Sequence, residues 1–347
     1  MVKRLRMGVL GCAKIARGFV RDVASSTQVD VVAVASRELD KAQAFAGEFG
    51  LAHAWGSYEA LLSDPEVDAI YLPLPNSMHA QWAIAAAQSG KHILCEKPLT
   101  LTLADAQAMF AAASQHQVML LESFPYYFQP QTGDMLRLLH SGAIGPVRSV
   151  QAQFGFTLAP EATGNIRFNP DLGGGALLDA GSYPLSLIRL VMGQAPVRVQ
   201  AQSSWAGSGV DISTTATLEY ADGRRAQMMC AMDVANVRRA IISGSTGTLE
   251  TEYLNHTAQA VGDNLFGYLP SQMRVRRGIA NTLAFEEIHS PAGSGFRFAA
   301  EAFAKVIRDQ DHAAIARAAQ ASIDNAATLE ALALSARTGA SVNLATI

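Results

Sequence analysis

The stretch Gly8-Val-Leu-Gly11-Cys12-Ala13-Lys14-Ile15-Ala16 joins an apolar run that begins at Met7 to a segment able to form a helix. Small residues at positions 11, 13 and 16 let the backbone turn tightly after a strand and aim the first amides of a helix at a phosphate group. Small residues also occur in strand-to-helix turns for packing alone. The surrounding pattern must decide between a phosphate-binding turn and a packing turn.

That pattern is an alternation of apolar runs and helical stretches through the first 124 residues. The apolar runs are 7–10, 29–35, 69–74, 92–95 and 118–121, and the helical stretches are 40–49, 57–63, 77–89 and 103–116. Buried parallel strands joined by crossover helices produce this alternation. We therefore predict an α/β domain of the Rossmann type with a parallel sheet over residues 1–124. Its end is set by the segment Phe124-Pro-Tyr-Tyr-Phe-Gln-Pro, which interrupts the pattern.

The rest of the chain, 125–347, has a different pattern. Long alternating runs at 147–156, 197–205, 214–220 and 225–232 predict strands, and 243–250 predicts a turn between two more. Helices are predicted at 175–192, 298–309 and 319–338, whereas 255–280 is too irregular to assign. This pattern predicts an α+β domain with a mostly antiparallel open sheet.

Composition restricts the class of protein. The 347 residues carry a formal net charge of −3 without a basic cluster, which gives no electrostatic reason to bind nucleic acid or an anionic membrane. No apolar run is long enough to cross a bilayer, and the N-terminus has no signal-peptide pattern. Three cysteines lie far apart, and eight histidines lack HxH or HExxH spacing. We expect a cytoplasmic protein with a small-molecule partner and no catalytic metal.

The end of the second strand indicates which dinucleotide the turn would hold. An NAD site usually has an acidic residue there, about 20 residues after the glycine turn, to bind the ribose hydroxyls. This chain has Ser36-Arg37 instead. Serine can hydrogen-bond a 2′-phosphate, and arginine can pair with its charge and stack on the adenine. We expect NADP, the alternative being a solvated arginine at a strand end.

Two further segments follow strand ends on the same predicted sheet edge. They are Leu72-Pro-Leu74-Pro75-Asn76-Ser-Met-His79 and Cys95-Glu96-Lys97-Pro98. Ligands of doubly wound sheets bind at this edge, so we expect both segments to surround the nicotinamide. Lys97 would lower the pKa of a neighbouring acid or hold a substrate hydroxyl. Spacing alone allows a solvated loop lysine equally well.

A second cluster, Gly173-Gly-Gly-Ala-Leu-Leu-Asp179-Ala-Gly181-Ser-Tyr183-Pro184, lies within the predicted helix 175–192. Residues four apart share one helix face, which places Asp179 and Tyr183 together. Hydride transfer at a carbinol carbon requires an acid/base for the hydroxyl proton, and tyrosine near a lysine ammonium can serve at neutral pH. Alternatively, Asp179 is a helix cap and Tyr183 a core aromatic residue.

Together these segments, with Gly244-Ser-Thr-Gly-Thr-Leu-Glu, resemble the glucose-fructose oxidoreductase / inositol dehydrogenase family, Gfo/Idh/MocA, over nearly the whole chain. The resemblance implies a Rossmann domain, and a C-terminal domain whose open sheet commonly mediates homodimers or higher homo-oligomers. It implies catalytic or substrate-holding roles for Lys97, Asp179 and Tyr183. Tyrosine at position 183, where many relatives have histidine, resembles the branch of NADP-dependent D-xylose dehydrogenases and dimeric dihydrodiol dehydrogenases. In that branch Arg167 approaches the cofactor.

The cofactor-binding residues expected from the motifs and the resemblance are Gly11, Cys12, Ala13, Lys14, Ile15, Ser36, Arg37, Leu74, Pro75, Asn76, His79, Glu96, Lys97 and Arg167. One departure matters: relatives often read Glu-x-Phe-Met-x-Arg-x-His-Pro, whereas this chain has Glu122-Ser-Phe-Pro-Tyr-Tyr127-Phe-Gln129-Pro. Substrate roles that depend on that arginine and histidine do not carry over.

The sequence therefore predicts an NADP-dependent oxidoreductase acting on a sugar-like secondary alcohol or hemiacetal. Oxidation of an aldose such as D-xylose to its lactone is the first expectation. A trans-dihydrodiol dehydrogenase or a keto-sugar reductase is the alternative enzyme. A non-catalytic NADPH-binding regulator is the alternative from another class, and the retention of lysine, aspartate and tyrosine together argues against it.

Overall fold

The computed structural model describes residues 3–158, 164–253, 272–291 and 293–347. The chain forms two compact units. The first consists of Met1–Thr100, Ala104–Pro125 and Ser294–Ser322, and the second of Leu101–Leu103, Tyr126–Gly293 and Ile323–Ile347.

The first unit contains a parallel sheet and the helices that cross between its strands. The strands are β1 Leu5–Leu10, β2 Val29–Ala35, β3 His53–Trp55, β4 Ala69–Leu72, β5 His92–Glu96 and β6 Leu120–Ser123. The helices that follow them are α1 Lys14–Val23, α2 Leu39–Phe49, α3 Tyr58–Leu62, α4 His79–Gln88 and α5 Leu103–Gln115, which begins in the segment assigned to the second unit. The predicted strand at 69–74 ends earlier, at Leu72, before Pro73. The three-residue strand β3 has no apolar run that the sequence could reveal.

Within the described residues the strand order of this sheet is β3-β2-β1-β4-β5-β6, and every pairing is parallel. The chain moves outward from β1 in one direction and then returns to add β4 on the other side. Ligands of such sheets bind where this reversal occurs, beyond the carboxyl ends of the strands. The turn after β1 and the loop after β4 both lie at that point.

Aromatic packing joins a late segment of the chain to this unit. Phe19 of α1 stacks on Tyr71 of β4 with ring centroids 3.8 Å apart, and Phe296 packs edge-on against Phe19 at 5.7 Å. Phe296 belongs to α9, Gly295–Asp309, whose N-terminal Ser294 donates to buried Asp22 at 2.7 Å. The predicted domain boundary at residue 124 differs from the division into the two compact units, because these contacts place residues 294–322 in the first unit.

The second unit is built on a mixed sheet. Its strands are β7 Val147–Thr157, β8 Arg198–Trp205, β9 Asp211–Glu219, β10 Arg225–Ala231, β11 Asp233–Gly244, β12 Gly247–Glu252, β13 Gln272–Arg277, β14 Glu286–Ile288 and β15 Val342–Asn343. Its helices are α6 Pro130–His140, α7 Ala176–Asp179 and α8 Ser182–Met192, and it includes the later part of α10 His312–Thr338.

Among the described residues the order of this sheet is β14-β13-β12-β11-β7-β10-β9-β8-β15. Only β7 and β10 pair in parallel there, which confirms the expected mostly antiparallel sheet. The part of 255–280 up to residue 271 lies outside the described residues.

Three helix predictions need correction. The helix expected at 175–192 is two helices, α7 and α8, because the Gly181 N–H donates to Ala176 O, five residues back, at 2.8 Å and so interrupts the helical pattern. Gly181 also has no room for a Cβ, which would lie 2.9 Å from Cys230 Sγ of β10. Helix α9 begins three residues before the predicted 298, at the Ser294 cap, and α10 begins seven residues before the predicted 319. None of the described helices is long and apolar enough to span a membrane.

The Gly244-Ser-Thr-Gly motif is the turn between β11 and β12, and it packs on the backbone. A Cβ at Gly244 would overlap the carbonyl group of Ile144, while Gly47, inside α2, has no neighbouring atom within 4 Å of such a Cβ. We predict that Gly244→Ala destabilises the protein by about 1–3 kcal/mol, whereas Gly47→Ala stabilises it by roughly 0.5–1 kcal/mol. Urea unfolding measures both. Equal unfolding free energies for the two variants would contradict this account of the motif.

Candidate active site

The glycine turn lies between two other segments of the sheet edge. Gly11 has φ +106°, a conformation that L side chains rarely adopt, and its N–H donates to Ala35 O at 2.8 Å. A Cβ there would lie 2.9 Å from the Leu74 side chain. Ala13 precedes α1 in an extended conformation without a side-chain cap, and Ala13 and Lys14 are exposed. The N-terminus of α1 at Ala13 and Lys14 is therefore exposed to solvent, whereas the buried backbone of Gly11 packs against the Leu74 side chain.

The end of β2 adds polar and positive groups to this turn. Ser36 is buried beside the Cys12 thiol, and its Oγ accepts the Glu38 N–H at 3.3 Å. Arg37 is exposed, and its positive charge opposes the rise in the pKa of Tyr58 that burial causes. Since the hydroxyl of Tyr58 lies 4.0 Å from the Cβ position of Gly11, the charge of Arg37 is near the turn.

The segment after β4 is held by a buried histidine. His79 is fully buried at the start of α4, and its Nε2 lies 2.9 Å from Leu74 O. Its Nδ1 lies 3.0 Å from Pro98 O and 3.2 Å from Leu99 O. Burial lowers the pKa of His79, which favours a neutral ring. The ring thus connects the loop after β4 to the turn after β5. The contact of His79 with the cofactor stays a prediction.

The turn after β5 carries Lys97. Glu96 is buried, its Oε1 accepts the Tyr71 hydroxyl at 2.6 Å, and its Oε2 accepts the Lys97 N–H at 3.3 Å. Lys97 is only 9 % exposed and precedes Pro98 through a cis peptide bond. Glu96 therefore bonds to buried groups of its own unit, and these bonds fix the backbone of the lysine.

The second unit holds the other polar candidates. Arg167 Nε donates to Asp179 Oδ2 at 2.5 Å, and the guanidinium lies 5.8 Å from the Phe156 ring centroid. Arg167 lies on a 3-10 turn, Ile166–Phe168, that is capped by Asn165 Oδ1. The Arg167 carbonyl accepts the Gly175 N–H at 2.9 Å. This loop therefore brings together Arg167 and Asp179, which the sequence placed in different roles.

Tyr183 is the second residue of α8 and lies in an aromatic cluster. Its ring stacks on Phe154 of β7 with centroids 4.5 Å apart, and Tyr126 meets it edge-on at 6.5 Å. The Ser186 hydroxyl donates to Tyr183 O at 2.8 Å. Asp179 ends α7 just before the bend at Gly181, where the backbone stays in the right-handed helical region. The phenol thus has a fixed direction despite the break between the two helices.

The segment Glu122-Ser-Phe-Pro-Tyr-Tyr127-Phe-Gln129 differs from the pattern of many relatives at two positions, and the structure shows where both side chains lie. Gln129 occupies the position where many relatives have histidine, but it is buried and its Nε2 donates to Gly293 O at 3.0 Å. Tyr127 occupies the arginine position and is 45 % exposed. Sequence reasoning did not identify Tyr71, Phe154 or Glu122 as supports of the site, since their spacing to the residues they contact carries no signal.

The residues of the first unit fit a dinucleotide. The exposed, uncapped N-terminus of α1 and the positive charge of Arg37 are features that would suit a pyrophosphate and a further phosphate. The described residues contain no group of three or more histidine, cysteine, aspartate or glutamate side chains able to hold a metal ion. A parallel sheet with this strand order and this turn defines a dinucleotide-binding protein with a Rossmann fold.

Comparison with known proteins gives the family. Residues 5–124 match the model of the oxidoreductase family with an NAD-binding Rossmann fold, and residues 134–250 match the Gfo/Idh/MocA C-terminal domain. The chain belongs to the Gfo/Idh/MocA family of oxidoreductases, which confirms the family, the fold class and the class of enzyme expected from the sequence.

Individual relatives cover the whole chain. D-xylose 1-dehydrogenase (NADP(+)) 2 of Haloferax volcanii is 34 % identical, over 98 % of this chain and 100 % of the relative. The dTDP-3,4-didehydro-2,6-dideoxy-alpha-D-glucose 3-reductase of Saccharopolyspora spinosa is 34 % identical, over 98 % of this chain and 99 % of the relative. The crystal structure of a 3-ketoreductase from Actinomadura kijaniata with NADP and TDP-benzene has a TM-score of 0.84 and 30 % identity, covering 96 % of this chain and 98 % of that one.

The ion pair between Arg167 and Asp179 leads to a prediction. Arg167→Met leaves the Asp179 carboxylate without its charged donor, so we expect kcat/KM to fall about tenfold, the equivalent of about 1.4 kcal/mol, while the Kd of the cofactor changes less than about twofold. Arg189→Met, which breaks a similar pair with Asp324 in the same unit, is the control and should leave kcat/KM near the unmodified value. A tenfold rise in the cofactor Kd of Arg167→Met would instead give Arg167 the cofactor contact that the resemblance implies.

Proposed function

We propose that this protein is an NADP-dependent dehydrogenase that oxidises a sugar-like hemiacetal or secondary alcohol, of the aldose 1-dehydrogenase type. One observation carries the proposal: the chain keeps Lys97, Asp179 and Tyr183, and contacts within their own units hold each of them. Glu96 bonds to the backbone of Lys97, Arg167 pairs with Asp179, and Phe154 stacks on Tyr183. A protein that only senses the dinucleotide needs the first unit but has no use for proton-transfer groups such as Asp179 and Tyr183 of the second unit.

Each of the three residues has a separate role in this reaction. Tyr183 takes the proton of the substrate hydroxyl at its Oη during oxidation and returns it during reduction. The positive charge of Lys97 favours the deprotonated phenol and holds the hydroxyl oxygen. Asp179, kept in place by Arg167, accepts a hydrogen bond from a neighbouring hydroxyl and orients the sugar. The bound nicotinamide supplies the acceptor or donor of the hydride.

The preference for NADP over NAD rests on Ser36 and Arg37 at the end of β2. A carboxylate at this point would repel a 2′-phosphate, whereas this chain has a hydroxyl and an exposed guanidinium near the turn. The names of relatives such as the Haloferax volcanii enzyme, which include NADP, support the same preference.

A keto-sugar reductase is the second candidate. The 3-reductase of Saccharopolyspora spinosa spans the chain at the same identity as the xylose enzyme. The same three residues serve either direction, since Tyr183 would then give a proton to a carbonyl oxygen. Assays of NADP reduction with a panel of free aldoses, and of NADPH oxidation with keto-sugar nucleotides, separate the two.

We propose that the protein works in the cytoplasm as a homodimer or higher homo-oligomer joined through the second sheet. Its three cysteines are free. The outward face of β7, β10, β9 and β8 carries two uncharged rows in register, Gln151-Gln227-Thr217-Gln200 and Gln153-Met229-Thr215-Gln202. Two rows without charge can pair with the same rows of a second copy without desolvating ions.

Removal of the Tyr183 hydroxyl tests the mechanism. We expect Tyr183→Phe to lower kcat at least about 100-fold, the usual contribution of a general acid/base, with the Kd of NADPH nearly unchanged because the ring packing is kept. Tyr220→Phe is the matched control, since it removes another buried hydroxyl of the second unit and should retain activity. Unchanged turnover in Tyr183→Phe would exclude the proposed role.

Reversal of the charge at position 37 tests the choice of cofactor. Arg37→Asp should raise the Kd of NADP about tenfold or more, because a carboxylate replaces the partner of the 2′-phosphate, and should change the Kd of NAD by less than about twofold. Arg308→Asp, at an exposed site on α9, controls for the change in net charge. Equal weakening of both dinucleotides in Arg37→Asp would refute the phosphate contact. Fluorescence titration gives all the constants.

A further inference from the structure

One buried carboxyl group next to the Lys97 turn has no part in the mechanism above. Glu122 ends the apolar run of β6, beside Cys95 of β5, and is 7 % exposed. Its Oε1 accepts the Leu99 N–H at 2.8 Å, and the Ser322 hydroxyl also interacts with the carboxyl group. Burial of a carboxyl group is costly even with these partners, so its position calls for an explanation.

The Leu99 peptide is bonded from two sides. Glu122 accepts from its N–H, and His79, fully buried on α4, faces the carbonyl oxygens of Pro98 and Leu99 at 3.0 and 3.2 Å. Neither side chain lies on β5 or on the turn itself. The backbone that follows Lys97 is therefore fixed by side chains from β6 and α4.

We propose that Glu122, together with His79, is a positioning residue that fixes the Lys97-Pro98-Leu99 turn and tunes the charge at Lys97 through its own ionisation. The proposal rests on the catalytic role of Lys97 given above. An accepted N–H at Leu99 sets the direction in which the chain leaves the lysine. A negative charge on Glu122 would favour the ammonium form of Lys97.

The surroundings of Glu122 make its ionisation responsive near neutral pH. Burial raises the pKa of Glu122 from its ordinary value of 4.5 to about 7, and the Glu96 carboxyl adds to the rise. Three groups oppose it: the Ser322 hydroxyl from α10, the Leu99 N–H and the Lys97 ammonium. Cys95 also faces the group, and its own pKa is raised mainly by burial, so the thiol stays neutral.

Stability gives a test that does not depend on activity. Because the pKa is higher in the folded protein, the folded state holds a proton that the unfolded chain releases between about pH 4.5 and 7. Glu122 should therefore lower stability as the pH rises through this range. The Tm of Glu122→Gln minus that of the unmodified protein should increase by at least about 3 °C between pH 5 and pH 8. A constant difference would mean that Glu122 does not ionise in this range and would overturn the proposal.

Kinetics test the positioning role. Glu122→Gln keeps an acceptor for Leu99 N–H but no charge, so its kcat should lie within about twofold of the unmodified enzyme at pH 6 and fall at least about threefold below it at pH 8.5. Glu122→Leu keeps the volume but no acceptor, so its kcat should fall about tenfold at both pH values with an unchanged Kd for NADPH. Its Leu99 amide should also exchange hydrogen faster. Asp64→Asn, at another buried carboxylate of the same unit, should show none of these changes.

Two outcomes separate this proposal from the proposed function. If Lys97→Met keeps its turnover, the catalytic role of the lysine is refuted. Faster hydrogen exchange of the Leu99 amide in Glu122→Leu than in the unmodified protein would then show that Glu122 makes only a structural contact. If Lys97→Met is inactive but Glu122→Leu has normal kcat and normal Leu99 exchange, the role of Glu122 fails and the proposed function stands.

Discussion

Parallel pairing on both sides of β1 is the constraint on which the rest of the first unit depends. Because β2 and β4 both run alongside β1, the carboxyl ends of all three strands meet at one edge, and β5 brings a fourth. Every dinucleotide-binding candidate of this unit follows one of these ends. The glycine turn follows β1, Arg37 follows β2, the loop that leads to His79 follows β4, and Lys97 follows β5. A shift of one strand in this order would scatter them.

Much of this fold could be predicted from the sequence, because buried parallel strands are continuous apolar runs and amphipathic helices have their own period. The features that the sequence did not predict share a physical cause: they depend on contacts between residues that are distant in the chain. The bend between α7 and α8 places Gly181 against Cys230 of β10, about 50 residues further along the chain. Strand β3 is only three residues long and exists through its pairing with β2. Helix α9 belongs to the first unit through the contact between Phe296 and Phe19, and no local sequence pattern predicts this contact.

The candidate site also contains some residues that the sequence could identify and others that it could not. Residues at strand ends could be found by spacing, since the sheet edge is a topological consequence of the strand order. Their partners could not be found in this way. Tyr71 and Glu96 are 25 residues apart and meet only because β4 and β5 are neighbours. Arg167 and Asp179 are joined by a loop whose fold depends on glycines at 174 and 175 that pack against backbone and against Asp211. The roles assigned to these residues for substrate and cofactor stay proposals.

The late segment of the first unit has a consequence for how the protein is made. Residues 1–125 leave the ribosome long before Ser294–Ser322, with almost the whole second unit synthesised in between. Until that segment arrives, the apolar face of α1 around Phe19 lacks Phe296, and the buried Asp22 lacks the Ser294 hydroxyl. While the second unit is being synthesised, the nascent dinucleotide-binding unit therefore has an exposed apolar surface of the kind that chaperones shield.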